Sequence, residues 1–374
     1  MAESVETLLV PNRIAGVISQ VSGGLNPLSR FWGWNVGGSN TLAFGGREYA
    51  YDIFNNTKEV ADGRLPAATR SQTEPQTVAV VKGTFPRVAE QILLDYEKMH
   101  NNRPIGGPAG ILDRMGMEYI IKQENFIGQR VGNVIEFQTA AMMRGEYFFI
   151  QNGDKLTQSF TDPGGAQKID FNIPAGNKGQ LDMLGGGAII GTSWADAAAD
   201  IPNDIMGVND AFVATHGYQL ENIFVGRTVW NAMLNNTAIK AQAGTSQSPF
   251  DIFKQDNDGL FSARLRSLPY ITIHIMGNGL ELGAAGSKVF TTSLEDNHAY
   301  FTPAVNNQIA RYGQGSEVVV QKGFGVGGSV DVQMGSFFWS FLEDNPAGHQ
   351  LAAVHNGIPW LQIPTAIANG TVIF

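Results

Sequence analysis

A long amphipathic helix is the feature of this sequence that most constrains its fold. Between Met115 and about Met143, apolar side chains recur mostly at three- and four-residue steps, the spacing of one apolar stripe on an α-helix. Polar residues such as Arg130 and Glu136 are expected on the other faces. At about 1.5 Å per residue the helix is roughly 40–45 Å long, whereas helices average about 11–12 residues. Taken alone, it fits the core of an ordinary enzyme as well as a spine between separate regions.

The segments that precede this helix have few apolar residues with which to fold on themselves. Residues 1–45 are irregular and broken by glycines, and their single apolar cluster consists of Leu28, Phe31, Trp32 and Trp34. Residues 46–88 contain two strand-like runs, 47–54 and 76–82, around a polar, turn-rich tip. Because an isolated strand pair is marginal in water, the hairpin must lie on another surface. The arm and the hairpin are each expected to need a surface that the chain itself does not supply, such as that of a neighbouring copy. We interpret the first segment as an arm that docks by its aromatic side chains and the second as an extended loop.

After the long helix the pattern changes to a mixture of strands and helices. Asp204 is placed to cap a helix that ends at Gly217, and a further helix is expected after Gly226. The apolar residues 371–374 are expected in a sheet. The other strands are predicted at 147–150, 167–173, 221–225, 270–275, 317–321, 329–334, 350–354 and 360–363.

The composition excludes several classes of site. The absence of cysteine excludes disulfides, cysteine-bound zinc, iron–sulfur clusters and thiol nucleophiles. The formal net charge is -9 and no cluster of Lys and Arg occurs, which argues against a dedicated nucleic-acid surface. The first residues lack the basic and apolar regions of a signal peptide. Only 16% of residues are charged, against about 25% in soluble domains, so either the chain is unusually compact or other subunits cover part of its surface.

No motif in the sequence predicts catalysis or a bound cofactor. Gly323 to Gly328 matches G-x-G-x-x-G, but residues 329–333 alternate like a strand, whereas a dinucleotide-binding loop leads into a helix. We interpret this segment as a hairpin turn. The six histidines form no metal-binding pair, and Asp256 to Gly259 lack the closing Glu of a calcium loop. We therefore predict no enzymatic activity, no metal and no cofactor.

The order of the predicted elements resembles that of the major capsid proteins of tailed bacteriophages, in the lambda-like branch of the Hong Kong 97-type capsid fold. The resemblance covers nearly the whole chain and is one of pattern, without a fixed motif. It is loose at 155–200 and 235–264. The matching stretches are 26–32, 70–82, 142–147, 223–232, 357–361 and 371–374.

The resemblance implies an α+β fold in which a long spine helix belongs to a peripheral domain beside an α/β axial domain. The implied parts are an N-terminal arm (1–45), an extended β-hairpin loop (46–88), a peripheral domain (89–195 and 299–345, with the spine helix at 114–144) and an axial domain (196–298 and 346–374).

The resemblance also implies a function, a structural major capsid protein that assembles through hexamers and pentamers into an icosahedral shell around a double-stranded DNA genome. The implied location is the virion capsid, after assembly in the host cytoplasm. The implied partners are further copies of the chain, a separate scaffolding protein, a portal protein and a decoration protein, with DNA packaged without sequence-specific contacts and no membrane. The implied subunit-interface candidates are Leu28, Phe31, Trp32, Trp34, Arg64 and Arg70.

Two other functions stay open at this point. One is an encapsulin-like compartment, which has the same fold but holds enzyme cargo instead of DNA. The other is an α/β enzyme of undetected type, whose active site this sequence does not display.

Overall fold

Five α-helices and twenty strands make up the described part of the computed structural model, which comprises residues 26–34, 41–53, 79–94, 114–152, 155–243, 249–254, 261–283, 288–304, 308–321, 329–344 and 347–374. The helices are α1 (Pro27–Phe31), α2 (Arg114–Arg144), α3 (Ile201–His216), α4 (Arg227–Asn235) and α5 (Thr237–Ala243). The strands are β1 (Thr41–Phe44), β2 (Glu48–Ile53), β3 (Ala79–Thr84), β4 (Arg87–Leu94), β5 (Glu146–Asn152), β6 (Lys155–Ser159), β7 (Gln167–Asp170), β8 (Lys178–Gly179), β9 (Leu220–Gly226), β10 (Phe250–Lys254), β11 (Phe261–Leu265), β12 (Thr272–Met276), β13 (Gly279–Leu282), β14 (Val289–Thr292), β15 (His298–Pro303), β16 (Ala310–Gln321), β17 (Ser329–Met334), β18 (Ser336–Asp344), β19 (Ala347–Leu361) and β20 (Ala368–Thr371).

The predicted spine helix is present as α2, which is 31 residues long. It ends at Gly145, whose left-handed φ of 101° suits glycine and whose N–H donates to the carbonyl of Ala141 at 2.9 Å. The C-terminal part of α2 is not amphipathic, because every side chain from Ile135 to Met143 is buried. Glu136 is one of them. Its predicted place on a polar face is therefore wrong.

A six-stranded sheet lies against α2, and β19 is its central strand. The first part of β19 pairs with β18 on one side and β4 on the other, and its end pairs with β16. β16 in turn pairs with β1 in parallel and, further along, with β17. The two strands predicted at 350–354 and 360–363 are thus parts of one strand that runs through Pro359.

A seven-stranded sheet forms the second layer, in the order β10-β11-β12-β9-β15-β20-β8. Its central strand β9 pairs in parallel with β12 and antiparallel with β15. Helices α3 and α4 pack on β9, and α5 packs on both helices. The apolar side of this layer is a second core that contains Phe212, Ile223 and Trp230.

The start of helix α3 differs from its prediction by one turn. The Asp200 carboxylate, and not that of Asp204, caps the helix by accepting the N–H of Asn203 at 3.3 Å. Asp204 instead accepts a hydrogen bond from the indole of Trp194 at 2.8 Å. The predicted end at Gly217 is confirmed, with a left-handed φ of 81°.

Three small β units complete the described chain. β2 and β3 form an antiparallel ribbon, which is the base of the predicted extended loop. β13 and β14 form a second hairpin, and β5 lies between β6 and β7.

Two segments pair differently from the predicted domain borders. β15, which the borders place almost entirely in the peripheral domain, pairs with β9 and β20 in the seven-stranded sheet. β19, placed in the axial domain, is the centre of the six-stranded sheet, and only the residues of β20 and beyond join the other layer. A strand belongs where its hydrogen-bond partners are, and those partners are distant in sequence. The division into four parts stays a prediction.

The chain combines helices with largely antiparallel sheets, so the predicted α+β class is confirmed. Across the described ranges, no helix is long and apolar enough to cross a membrane.

Candidate functional site

The described part of the arm is a short helix, α1, seated on the rest of the chain. Trp32 and Trp34, just beyond its end, stack with their ring centroids 5.2 Å apart. The ring of Trp34 also lies 5.7 Å from that of Tyr312 on β16. Leu28, Trp32 and Trp34 expose 1% of their surface or less.

The aromatic cluster of the arm therefore lies inside its own subunit. Atoms of the same chain cover Leu28, Trp32 and Trp34 in the subunit, and the part of these residues in subunit contacts stays a prediction. Phe31 is only partly buried, and its ring meets Phe224 at 4.9 Å and His274 at 5.0 Å. Since α1 also packs on α2, the arm bridges the spine helix and the seven-stranded sheet.

The base of the extended loop is also supported by its own chain, but on one face only. Tyr49, Tyr51 and Ile53 alternate along β2 and are buried. The ring of Tyr49 lies 5.0 Å from Phe85, and that of Tyr51 lies 5.0 Å from Trp360 on β19. The expectation that the hairpin needs a surface from outside the chain is wrong for this face, because residues of the same subunit cover it.

The opposite face of the ribbon is open. Val80 on β3 is 54% exposed, and its partner Asp52 on β2 is exposed as well. Arg64 and Arg70, the two remaining interface candidates, lie outside the described residues, as do residues 1–25 of the arm.

An ion cluster ties the root of the ribbon to the sheet beneath it. Glu317 on β16 accepts hydrogen bonds from Arg87 on β4 at 2.8 Å, from Arg47 at 3.0 Å and from the amide of Asn356 at 2.8 Å. Burial alone would raise the pKa of Glu317, but the hydrogen bonds from Arg87 and Asn356 and the two positive charges lower it below its usual value. The cluster connects Arg47, which precedes β2, with β4, β16 and β19.

A second cluster joins the end of the spine helix to the seven-stranded sheet. The guanidinium of Arg144 donates to the carbonyls of Ser293 and Thr292 at 3.0 and 2.8 Å. Its charge also lies 3.5 Å from Glu295, which pairs with His298 on β15 at 2.9 Å. Burial alone would lower the pKa of His298, but the hydrogen bonds with Glu295 and Asn369 raise it above its usual value.

A buried polar chain lies below the arm and resembles part of a catalytic triad. The imidazole of His355 is hydrogen bonded to Ser336 through Nδ1 and to Tyr312 through Nε2, at 2.7 Å each. The Tyr312 hydroxyl donates on to Gln138 on α2. A hydrolase triad has a carboxylate on the second nitrogen, where this chain has a phenol. Burial lowers the pKa of His355 to about 4, so the imidazole is neutral and connects α2 with β16, β18 and β19.

An open groove runs between α2, β4 and the β13–β14 hairpin, with a volume of about 580 Å³. Two exposed aromatic side chains mark it, Phe126 on α2 at 48% exposure and Phe290 on β14 at 62%. Arg130 and Glu90, which pair with each other, lie on its wall. Exposed apolar patches with a polar rim are typical of protein contact surfaces.

The described residues offer no arrangement suited to a metal ion. Within the described ranges, no group of three or more His, Asp or Glu side chains is placed to hold one. The glycine motif at 323–328 and the turn at 256–259 lie outside the described residues. The segment that follows the glycine motif is the strand β17, as predicted, where a dinucleotide site needs a helix.

Two solved proteins of phage origin share the fold of this chain. The putative capsid protein of a prophage from Escherichia coli CFT073 matches with a TM-score of 0.56 and 12% identity, over 100% of this chain and 99% of that one. A phage-related protein from Bordetella bronchiseptica matches with a TM-score of 0.55 and 10% identity, over 97% of both chains. The chain has the fold of phage capsid proteins. The resemblance predicted from the order of elements is thereby confirmed at the level of the capsid fold.

An encapsulin complex from Synechococcus elongatus matches with a TM-score of 0.42 and 7% identity, over 89% of this chain and 85% of that one. No family model and no curated protein matches the chain.

The sequence patterns do not reveal the polar clusters around Glu317, Arg144 and His355. Glu317, Arg144 and His355 are polar residues within or beside apolar runs, and each acts through partners far along the chain. The one signal that could have pointed to them is a charged or polar residue at a position where the alternation or the helical stripe predicts burial.

Proposed function

We propose that the chain is the structural major capsid protein of a tailed bacteriophage, whose copies assemble through hexamers and pentamers into an icosahedral shell around double-stranded DNA. The observation that carries the proposal is the fold match to a prophage capsid protein over essentially the full length of both chains. A match restricted to one layer would have supported only a shared domain.

The exposed surfaces of the subunit suit a shell protein. The open face of the ribbon around Val80 is formed by β2 and β3, and the groove between Phe126 and Phe290 is lined by α2, β4 and the β13–β14 hairpin. Several modest contacts on different sides of a subunit can together exceed the about 1,200–2,000 Å² of a standard interface. Because each is weak alone, a misplaced subunit can still leave during assembly.

The charge of the chain suits a container for DNA. The net charge is -9, and acidic side chains that face inward would keep packaged DNA from adhering to the wall. We propose that DNA is enclosed without sequence-specific contacts. The shell is then a part of the virion that is assembled in the host cytoplasm with a separate scaffolding protein, a portal protein and a decoration protein.

In this proposal the chain is not an enzyme. The pair that most resembles catalytic machinery, Ser336 and His355, is used to connect a helix with three strands, and burial keeps its imidazole uncharged. Its role is then to fix the relative positions of these elements.

Expression followed by electron microscopy tests the proposal. The chain is produced alone and together with the genes that flank it, and each preparation is analysed by light scattering and negative-stain imaging. Capsomers or closed megadalton particles are expected in at least one of them. A monodisperse monomer in both would contradict the proposal, and particles filled with a protein cargo rather than DNA would favour the encapsulin-like alternative.

A deletion tests the part given to the extended loop. Removal of residues 56–74 is expected to leave the far-ultraviolet circular dichroism and the melting temperature of the subunit nearly unchanged while closed particles are lost. Normal particles from this variant would contradict a role of the loop in assembly.

A further inference from the structure

Glu136 is a fully buried carboxylate at the joint between the spine helix and the arm. Its Oε1 accepts the backbone N–H of Leu28 at 3.0 Å, and its Oε2 accepts that of Ser29 at 2.8 Å. Both amides belong to the first turn of α1. Oε1 also accepts the side-chain amide of Asn278, just before β13, at 2.9 Å.

All groups that hold this carboxylate are neutral. They are the peptide N–H groups of Leu28 and Ser29, the side-chain hydroxyl of Ser29 and the side-chain amide of Asn278. Within the described residues no charged side chain lies at ion-pair distance from the carboxylate. The titratable groups on the elements packed around it include Arg30 in the last turn of α1, His274 on β12, Glu281 on β13 and the buried, neutral His355 on β19. Burial lowers the pKa of His274 to about 4, so it is uncharged near neutral pH. A buried charge without a counter-charge is costly.

Asn278, which donates a hydrogen bond to ionised Glu136, can also form a hydrogen bond with the neutral carboxylic acid of Glu136. The Asn278 Oδ1 atom is buried and has no hydrogen-bond partner, so turning the amide costs this oxygen no bond. The two ends of an asparagine amide differ only in being donor or acceptor. After rotation, Oδ1 can accept the proton of a neutral carboxylic acid, while Leu28 and Ser29 continue to donate to its oxygens.

We propose that Glu136 is a protonation-dependent latch for the N-terminal arm, which holds α1 on the spine helix most firmly when its carboxyl group is neutral and less firmly once it is ionised. The inference concerns the subunit and does not depend on the proposed shell function.

The sign of the pH dependence follows from burial. Burial raises the pKa of Glu136 while the arm is docked, and an undocked, solvated Glu has its ordinary pKa. The docked state thus binds the proton more tightly. Docking is strongest below the ordinary pKa, weakens by up to tenfold per pH unit as the pH rises through the interval up to the raised pKa, and is level above it.

Hydrogen exchange of the peptide that covers residues 26–34 tests the latch in the purified full-length chain. Protection, corrected for the intrinsic exchange rate, is measured from pH 5 to pH 8 in the wild type and in Glu136→Gln, a neutral and nearly isosteric replacement. The ratio of the two at each pH removes contributions from other titrating groups such as His274. Glu118→Gln, which removes an exposed charge from the same helix, is the matched control.

The expected result is that the ratio of wild-type to Glu136→Gln protection falls by more than twofold between pH 5 and pH 8, while the ratio for Glu118→Gln stays constant. A ratio for Glu136→Gln that is constant within twofold, or that rises with pH, would overturn the latch. If Glu136→Gln does not fold, Asn278→Ala replaces it. Loss of the amide that stabilises the ionised form is expected to move the fall in arm protection to higher pH, and an unchanged profile would overturn the proposal.

Discussion

The arm and the ribbon have similar sequences in one respect, since both are poor in local apolar partners, but the structure holds them in different ways. The arm places Trp32 and Trp34 wholly inside the subunit, against residues such as Tyr312 that are far along the chain. The ribbon buries Tyr49 and Tyr51 on one face and leaves Val80 in solvent on the other. The described part of the arm, residues 26–34, is therefore part of the core of its own subunit.

The difference changes where a neighbouring subunit can bind. Contacts through the buried tryptophans would require the arm to leave its own subunit first. Contacts through the open face of the ribbon require no rearrangement. Substitutions in the arm are thus expected to lower subunit stability, whereas substitutions on the open face of the ribbon are expected to impair assembly.

The largest effect is expected for Trp34→Ala. Loss of a fully buried indole removes its contacts with Trp32 and Tyr312 and leaves a cavity, which costs about 3–5 kcal/mol of the free energy of unfolding. Denaturant unfolding of the unassembled subunit measures the loss. Phe126→Ala is the control, because this ring is 48% exposed and its removal is expected to cost less than 1 kcal/mol. If Trp34→Ala is as stable as the wild type but no longer assembles, the arm contacts a neighbouring subunit instead of stabilising its own.

The next effect concerns the histidine below the arm. Burial lowers the pKa of His355 to about 4, below that of an unfolded histidine near 6.5. As the pH falls, the unfolded state takes up a proton on this histidine before the folded state does. The contribution of His355 to the free energy of unfolding is therefore fully present above about pH 6.5. It falls by up to about 1.4 kcal/mol per pH unit towards pH 4. His355→Gln is expected to reduce this acid slope, whatever its effect at neutral pH.

His298 provides the matched comparison, because its pKa is raised and not lowered. Its contribution is present below the ordinary histidine pKa and is lost as the pH rises through the raised value. His298→Gln should therefore flatten the profile above pH 6.5 and leave the acid slope unchanged. The same change of slope in both variants would mean that burial does not separate the two histidines.

Local patterns were enough for the regular elements. The stripe from Met115 to Met143 predicted α2 to within one residue at each end, the alternation at 329–334 predicted β17, and Gly217 marked the end of α3. Such features depend on neighbours in sequence. The backbone geometry of glycine and the period of the apolar residues are properties of the segment itself.

Features that depend on distant partners could not be predicted. The helical stripe assigned Glu136 to a polar face, because nothing in α2 shows that the amides of Leu28 and Ser29 come to lie over it. The exchange of β15 and β19 between the predicted domains has the same origin. The contacts of the arm are equally invisible in its own sequence, because its partners lie in β16 and in the seven-stranded sheet.

A smaller effect is expected where the ribbon is tied to the sheet. Glu317→Gln removes the charge that Arg47 and Arg87 share, but these arginines are 59% and 45% exposed, so solvent screening limits the cost to about 1 kcal/mol. The loss should be concentrated in faster hydrogen exchange of β2 and β3. Glu48→Gln, an exposed carboxylate on the same ribbon, is expected to change neither quantity. Equal behaviour of the two variants would show that the cluster does not hold the ribbon.

The smallest effect on stability, and the sharpest on assembly, is expected on the open face of the ribbon. Val80→Lys places a charge on a side chain that is 54% exposed in the subunit, so the free energy of unfolding should change by no more than about 0.5 kcal/mol. If a neighbour covers this face in the shell, the buried and unpaired charge should prevent closed particles from forming. Val80→Thr keeps the branched shape without a charge and is expected to assemble like the wild type.

Particle yield, measured by sedimentation and imaging, is compared with subunit stability for Trp34→Ala and Val80→Lys. Trp34→Ala should lose stability first and particles only as a consequence, whereas Val80→Lys should lose particles while the subunit keeps its melting temperature. Normal particles from Val80→Lys would remove the ribbon's open face from the contact surface. The groove between Phe126 and Phe290 would then be the exposed apolar surface to test next, by the same exchange of a neutral side chain for a charged one.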